Sequence, residues 1–164
     1  MHPFRCYNLP MKNATINFLI RDDKVFLSEK KERFGKGLLN GYGGKIRKDE
    51  NPEEGAVREI KEEGGVTVSP ADLEKVAIID FFEDNVPIFK CHVFFAGKWT
   101  GEFKESKEMA YPQAYDIDKL PLDRMWDADR VWLPIVFSGK KIHGKAYYEK
   151  GMKKMDHFDQ EPLE

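Results

Sequence analysis

The chain has 164 residues, 41% hydrophobic and 13% aromatic, which supports one folded domain with a packed core and excludes a disordered chain. Its 27 Lys and Arg against 29 Asp and Glu leave a net charge of -2, which excludes a strongly basic nucleic-acid coat and an acidic solvating tail. Charged residues still make up 34% of the chain, so the placement of the carboxylates becomes the question.

Signals for a compartment are few. No stretch approaches the ~18 consecutive apolar residues of a membrane span, and the start, MHPFRCYNLPMKN, lacks the apolar core of a secretory signal. Cys6 and Cys91 make neither a disulfide framework nor a zinc spacing. We therefore expect a cytoplasmic protein without a membrane partner, whose thiols are free and partly buried.

The first half of the chain predicts a β-hairpin and then a glycine-rich loop. The hairpin strands cover 14–20 and 24–28, joined at Asp22 and Asp23. The following run, RFGKGLLNGYGGK, is rich in glycine and predicts a loop that brings the backbone close to another group. A helix is predicted to begin at Asn51-Pro52 and to end near residue 63, before two glycines.

Apolar runs predict the remaining elements, which alternate less regularly than in a doubly wound sheet. They are strands over 76–82 and 89–96 separated by a turn near Asp84-Asn85, a strand with a short helical turn over 112–121, a helix over 127–137 and a strand over 142–149. We predict a single α+β sandwich domain over residues 1–164. About twelve residues are expected to fray at each end of the chain.

The predicted helix carries several carboxylates. Because each helical residue turns about 100°, Glu59, Glu62 and Glu63 share one face. Arg58 is four residues from both Glu54 and Glu62 and offsets part of the repulsion, whereas Glu59 and Glu63 have no such partner within the helix. A solvated acidic face is one interpretation. The other is a Mg²⁺ site, because Mg²⁺ prefers carboxylates, water and substrate phosphates.

The pattern resembles the Nudix family. Its nine constrained positions are all matched, by Gly44, Glu50, Arg58, Glu59, Ile60, Glu62, Glu63, Gly65 and Val66. The resemblance implies an α/β/α sandwich with a mixed β-sheet, in which this motif forms a loop–helix–loop. It also implies a Mg²⁺- or Mn²⁺-dependent hydrolase that cuts a nucleoside diphosphate linked to a further group.

The resemblance assigns roles to the carboxylates. The implied metal ligands, which also form the catalytic group, are Glu59, Glu62, Glu63 and Glu108, with the carbonyl of Gly43 as a further ligand. The resemblance also makes Arg58 and Glu50 look like a pair that orients the loop, and it places Arg58 with the catalytic residues. Hydrolysis needs a water aimed in line at phosphorus, neutralised phosphate charge and a proton acceptor. The acceptor stays open between Glu62, Glu63 and Glu108.

A closer resemblance, from about Thr15 to Tyr147, is to the animal MutT homologues of that family, the oxidised purine nucleoside triphosphatases. The matching segments are RFGKGLLNGYGGK, HVFFAG, KEMAYP, RMWDADRVWLP and KKIHGK. The resemblance places an amide that reads the purine edge at Asn40 and a stacking ring at Trp126. Other pocket positions fall on Thr15, Phe34, Met109 and Asp129. Lys30 and Lys31 are candidates for phosphate contact.

The chain departs from that group in the base pocket. The group has two consecutive aspartates after a Trp-Pro pair, whereas this chain has Trp126, Asp127, Ala128 and Asp129. Asp129 matches the second aspartate, Ala128 replaces the first, and a loop tryptophan of the group is Leu39. We expect the loss of one carboxylate to narrow or shift the choice of base.

We therefore expect a purine (deoxy)nucleoside triphosphate pyrophosphohydrolase that sanitises the nucleotide pool, with oxidised bases such as 8-oxo-dGTP among its substrates. The alternatives are hydrolysis of RNA 5′ ends, cleavage of another nucleotide, and a catalytically silent nucleotide-binding regulator. The regulator is disfavoured because all the helix carboxylates are present. The near-neutral charge favours a small nucleotide over a long nucleic-acid groove. We expect a monomer, with a dimer as the alternative.

Overall fold

The computed structural model describes residues 11–164. Cys6 lies outside that range, as do most of the N-terminal residues that are predicted to fray. The described chain forms nine strands and two α-helices. The strands are β1 (Lys12–Arg21), β2 (Lys24–Glu29), β3 (Leu39–Asn40), β4 (Tyr42–Lys45), β5 (Leu73–Glu83), β6 (Val86–Ala96), β7 (Gln113–Asp116), β8 (Ile142–Tyr148) and β9 (Met155–Pro162). The helices are α1 (Pro52–Gly64) and α2 (Asp129–Phe137), and short 3-10 turns cover Pro70–Asp72, Ile117–Lys119 and Leu122–Arg124.

The strands form one mixed sheet in the order β3-β2-β1-β6-β5-β8-β9, with β4 paired to β1 and β7 to β2. The pairs β1–β6 and β5–β8 are parallel, and the other pairs are antiparallel. Phe18 packs in the cluster that contains Trp132 of α2, and Leu19 packs with Ile60 of α1. Because neighbouring strand residues face opposite sides, the two helices cover opposite faces of the sheet. This confirms the α+β sandwich.

Both predicted hairpin turns are present. Asp22 and Asp23 have φ of 52° and 59°, and Asp84 and Asn85 have φ of 48° and 62°. Two-residue hairpin loops of type I′ need positive φ at both positions, which Asp and Asn tolerate better than most residues. These turns set the register of β1 with β2 and of β5 with β6.

Helix α1 begins and ends where the sequence predicts. The Asn51 side chain accepts a hydrogen bond from the Glu54 N–H at 2.8 Å, and the Glu54 carboxylate accepts one from the Asn51 N–H at 3.2 Å. Gly65 ends the helix with φ of 82°. Glu54 therefore caps the helix, and its expected pairing with Arg58 is wrong.

Two stretches differ from the sequence prediction. The glycine-rich loop contains the short strands β3 and β4. The polar C-terminal residues, expected to fray, instead form β9, which pairs with β8 from Ile142↔Pro162 to Tyr148↔Met155. The ring of Phe158 lies where a side chain on Gly144 would stand. Pairing with the preceding strand, β8, orders a segment whose own composition predicts no strand.

The described residues contain no helix long and apolar enough to cross a membrane. Cys91 is buried in the sheet as a free thiol, and burial raises its pKa to about 12. That thiol is therefore unreactive in the folded protein.

Candidate active site

The carboxylates of α1 face strand β4. Glu63 is 5% exposed, and its carboxylate accepts a hydrogen bond from the Gly43 N–H at 2.7 Å. A Cβ on Gly43 would collide with the backbone carbonyl of Thr15 in β1, so only glycine fits there. The glycines thus let β4 lie close to β1 while its N–H orients a helix carboxylate. The contact made by Gly43 is through its N–H, whereas the Nudix resemblance implies that its carbonyl is a metal ligand.

Gly44 has a similar function toward the next carboxylate. A Cβ at Gly44 would stand 2.7 Å from a carboxylate oxygen of Glu59. The Glu59 side chain is 13% exposed, so it lies against the strand backbone instead of extending into solvent. Gly44 therefore leaves the space that this carboxylate occupies.

Arg58 is the centre of an ion-pair network. Its guanidinium donates to both oxygens of Glu50 at 2.7 and 2.8 Å, and to the Lys45 carbonyl at 3.0 Å. It also donates to Glu59 at 2.8 Å and to Glu62 at 3.3 Å. The expectation that Glu59 lacks a partner within the helix is wrong, because the adjacent Arg58 reaches it. The bidentate pairing of Arg58 with Glu50 fixes the loop before α1 to the helix.

Burial dominates the electrostatics of the two inner carboxylates. The pKa of Glu63 is raised to about 8, mainly by burial and in smaller part by the charges of Glu59 and Glu108, against the hydrogen bond from Gly43. Burial also raises the pKa of Glu59, against the opposing effect of Arg58. By contrast, the hydrogen bonds from Arg58 lower the pKa of Glu50 to about 2. The inner pair is therefore held where a proton or a cation is favoured.

Glu108 reaches this cluster from the loop between β6 and β7. Its backbone carbonyl accepts a hydrogen bond from the Lys31 N–H at 2.8 Å, which joins its loop to the end of β2. Its carboxylate lies 3.5 Å from a guanidinium nitrogen of Arg33. Since its charge affects both Glu59 and Glu63, the structure brings the four predicted carboxylates to one region.

The donor set fits a divalent cation. In residues 11–164 no three His, Cys, Asp or Glu side chains converge closely enough to hold a metal ion as they stand, and Arg58 engages Glu59 and Glu62. The chemistry is nevertheless that of a hard-cation site, with several carboxylates, two of them largely buried and repelling each other. A bound cation would relieve that repulsion.

The candidate phosphate contacts lie beside the cluster. Lys30 forms an isolated bridge with Met109, and its charge lowers the pKa of Glu63. Lys31 instead pairs with Glu105 at 2.5 Å. Lys30 is therefore the better placed of the two lysines.

The predicted base-pocket residues Phe34 and Trp126 form an aromatic pair, which is the aromatic end of the predicted site. Phe34, 52% exposed, stacks on Trp126 with ring centroids 4.8 Å apart and planes inclined by 37°. A side chain on Gly35 would stand 3.0 Å from the Trp126 ring, so glycine permits this contact. Asn40 is half-buried in β3, and its side-chain oxygen accepts a hydrogen bond from the Gly41 N–H at 2.9 Å. Its amide nitrogen is the group left to read a base.

Asp129 lies inside the protein, 4% exposed. Its carboxylate accepts hydrogen bonds from the Trp126 N–H at 3.1 Å and from the Trp132 indole N–H at 3.0 Å. Burial raises its pKa to about 7, and the two hydrogen bonds oppose that shift. One carboxylate oxygen thus holds the backbone of Trp126, and the other is bonded to Trp132 in α2.

Two other predicted pocket residues are buried. Thr15, 1% exposed, donates from its hydroxyl to the Asn17 side chain at 2.9 Å, with the His92 carbonyl at 3.1 Å as the alternative acceptor. Met109, 2% exposed, packs in the cluster between the sheet and α1. The structure places both beneath the site surface and brings neither to the Phe34–Trp126 pair.

Two residues near Trp126 make contacts that the sequence does not predict. The Tyr148 hydroxyl accepts a hydrogen bond from the Ala128 N–H at 2.8 Å, across 20 residues of sequence. The Asp127 carboxylate accepts one from the Met155 N–H at 3.0 Å, across 28 residues. No local pattern signals such contacts.

Two surface cavities lie elsewhere. Their volumes are about 290 and 260 Å³, and Ile117 and Phe137 line both. None of the predicted site residues lines either cavity. The chemistry of the carboxylates, and not cavity size, therefore locates the candidate site.

Comparisons with known proteins agree with this geometry. The model of the NUDIX domain family matches residues 11–135. The chain is 39% identical over 134 residues to the oxidized purine nucleoside triphosphate hydrolase of Danio rerio, covering 81% of this chain and 84% of that protein. Its identity to the protein of the same name from Mus musculus is 37% over 136 residues, covering 82% and 85%.

A solved structure shares the fold. The MutT protein from Bacillus halodurans has a TM-score of 0.79 at 23% identity, covering 94% of this chain and 100% of that one. The family match ends at residue 135, so β8 and β9 lie beyond it, whereas the structural match covers nearly the whole chain.

Proposed function

This chain belongs to the Nudix family of hydrolases, and on that basis we propose that it hydrolyses purine (deoxy)nucleoside triphosphates to the monophosphate and pyrophosphate. Oxidised purines such as 8-oxo-dGTP are the proposed substrates, since both relatives are named oxidized purine nucleoside triphosphate hydrolases. The carrying observation is the buried pair Glu59 and Glu63 beside the backbone of Gly43 and Gly44. The reaction cuts a phosphoric anhydride and sanitises the nucleotide pool.

Nudix hydrolases generally use divalent metals, and we propose Mg²⁺ or Mn²⁺ for this chain. The proposed ligands are the carboxylates of Glu59, Glu62, Glu63 and Glu108 and the carbonyl of Gly43. When bound, such a cation acidifies water and neutralises phosphate charge.

The chain's own groups hold this arrangement. Arg58 orients Glu59 and Glu62, and the Gly43 N–H orients Glu63. One carboxylate among Glu62, Glu63 and Glu108 accepts the proton of the attacking water. Lys30, beside Glu63, is the proposed phosphate contact.

The aromatic end supplies base recognition in this proposal. The rings of Trp126 and Phe34 lie at the surface end of the site, where a purine can stack. The Asn40 amide nitrogen offers a donor to a purine edge, while its oxygen accepts from the Gly41 N–H. Asp129 acts behind Trp126. The buried Thr15 and Met109 are proposed to support the site from beneath, without contacting the Phe34–Trp126 pair.

The substrate is a small nucleotide, consistent with a Nudix hydrolase. We extend the proposal to a monomer that acts in the cytoplasm, supported by the free, buried thiol of Cys91.

A nucleotide panel tests the proposal. The protein with Mg²⁺ is incubated with 8-oxo-dGTP, dGTP, GTP and 2-hydroxy-dATP, and the products are separated by chromatography. We expect monophosphate and pyrophosphate in equal amounts, and no turnover after chelation of the metal. No product from any nucleotide would contradict the proposal. Activity only on triphosphorylated RNA, or binding without turnover, would favour the RNA 5′-end or the regulator alternative.

A further inference from the structure

The segment that carries Trp126 is attached to the β8–β9 hairpin at two points. The Ala128 N–H donates to the Tyr148 hydroxyl at 2.8 Å, and the Met155 N–H donates to the Asp127 carboxylate at 3.0 Å. Tyr148 ends β8 and Met155 begins β9, so the two hydrogen bonds attach the segment to the hairpin on either side of its turn.

The first bond lies in the interior. Ala128 is 0% exposed and Tyr148 is 2% exposed, so water does not replace the Tyr148 hydroxyl. The Tyr148 ring also meets Trp126 edge to face, with centroids 6.2 Å apart and planes at 88°. Tyr148 therefore contacts both the backbone of the segment and its stacking ring.

The second bond is nearer the surface. The Asp127 side chain is 34% exposed and also lies 3.7 Å from Arg130. Its hydrogen bond satisfies the first N–H of β9, and Met155 and Trp126 both pack against the same core cluster. The sequence departs from the MutT-homologue pattern at Asp127 and at Ala128, and both positions now contact the hairpin.

The hairpin is itself held in place. The Asp84 N–H donates to the Tyr148 carbonyl at 2.9 Å, and the Gly151 N–H donates to the Glu83 carboxylate at 2.8 Å. Met152, within the turn, is 6% exposed and belongs to the core. A rigid hairpin can therefore set the position of the segment attached to it.

We propose that Asp127 and Tyr148 are positioning residues that set purine affinity and selectivity by fixing Trp126 against the β8–β9 hairpin. This inference rests on the proposed function. Neither residue needs to touch the nucleotide, because each acts through the backbone that carries the stacking ring. The hairpin, beyond the part of the chain that the family model matches, thus becomes part of substrate recognition.

Two substitutions test the two bonds separately. Tyr148→Phe removes one hydroxyl and keeps the ring, and Tyr147→Phe is its control, since Tyr147 stacks between Phe82 and His157 away from Trp126. Asp127→Ala removes the acceptor for Met155, and Asp123→Ala is its exposed control. Asp127→Asn keeps an acceptor oxygen for the Met155 N–H, so it should retain the KM of the wild type.

The readouts are KM and kcat for 8-oxo-dGTP and dGTP, and hydrogen exchange of the Ala128 and Met155 amides. For Tyr148→Phe and Asp127→Ala we expect KM to rise roughly three- to tenfold, as for the loss of one hydrogen bond. We expect kcat to change much less, the preference between the nucleotides to shift, and the matching amide to exchange faster.

The outcomes separate the two proposals. If the wild-type protein hydrolyses no nucleotide, the proposed function fails and this inference fails with it. If the wild type is active and both variants keep its KM and its preference between nucleotides, the inference alone is overturned. A fall in kcat at unchanged KM would also overturn it, because the residues would then serve the carboxylate end. Failure of Asp127→Asn to rescue would overturn the role of Asp127.

Discussion

The two ends of the site contain buried carboxylates that serve different purposes. At the carboxylate end, burial together with the charges of Glu59 and Glu108 raises the pKa of Glu63 to about 8. At the aromatic end, burial raises the pKa of Asp129 to about 7, but its oxygens accept hydrogen bonds from Trp126 and Trp132. A buried carboxylate with a raised pKa thus indicates a ligand site when other carboxylates lie beside it. It indicates a structural role when N–H groups donate to its oxygens.

The two ends also differ in assembly. Strand β4 and helix α1 supply Gly43, Gly44 and three carboxylates from one stretch of about twenty residues. The aromatic end joins the Phe34 loop, the segment before α2 and the β8–β9 hairpin. In the proposed function the carboxylate end activates the attacking water, so substitutions there should change kcat. The aromatic end binds the base, so substitutions there should change KM.

The largest effect is expected from Glu62→Gln combined with Glu63→Gln. Both side chains keep their shape and lose the charge needed to hold a cation, so kcat should fall on the order of a thousandfold. Steady-state kinetics on the best nucleotide of the panel measure it. Glu53→Gln, on the first turn of the same helix, is the control and should keep wild-type kcat. Activity that survives the double substitution would refute the assignment of the carboxylates.

A backbone substitution gives the next effect. In Gly44→Ala the new Cβ would stand 2.7 Å from the Glu59 carboxylate, which must move. We expect kcat to fall by roughly ten- to a hundredfold, as for a displacement of about 1 Å in a catalytic group. Gly97→Ala is the control, because its Cβ would meet the Ile20 carbonyl at 3.9 Å. Unchanged kcat at unchanged Tm would show that Glu59 is not needed in its present place.

Trp126→Ala tests the aromatic end. Loss of the ring removes a stacking surface worth about 1–3 kcal/mol per base, so KM should rise by about tenfold or more while kcat changes less. Calorimetric titration with a slowly hydrolysed nucleotide provides an independent affinity. Trp126→Phe keeps an aromatic face and should recover part of the loss. Equal KM for all three proteins would place the base elsewhere.

The smallest effect concerns pH. The folded pKa of Asp129, about 7, lies above its ordinary 3.8, so the folded state favours the protonated acid. The stability that Asp129 contributes is therefore full below about pH 4 and is lost as pH rises toward 7. Asp129→Asn carries no titrating group, so its Tm should fall a few degrees less than that of wild type over this range. Parallel Tm curves would mean that Asp129 is already ionised in the fold.

Local patterns predicted most of the fold. The β-hairpin turns, the helix from Asn51 to Gly65 and the main strands follow from residues next to one another in sequence. Strand β9 did not follow, because its polar residues are ordered by pairing with β8. The strands β3 and β4 were missed for the same reason, since glycine-rich segments form strands only when a partner strand lies beside them.

The sequence alone determined which residues share the helix face, because Glu59, Glu62 and Glu63 lie one turn apart whatever surrounds them. It also determined the family, through the spacing of its motif. Only the tertiary structure decided that Glu63 is buried beside Gly43, that Asp129 supports Trp126, and that Tyr148 grips Ala128. Burial and hydrogen bonding at these positions depend on which elements the fold brings together. The spacing of residues within one segment does not determine that.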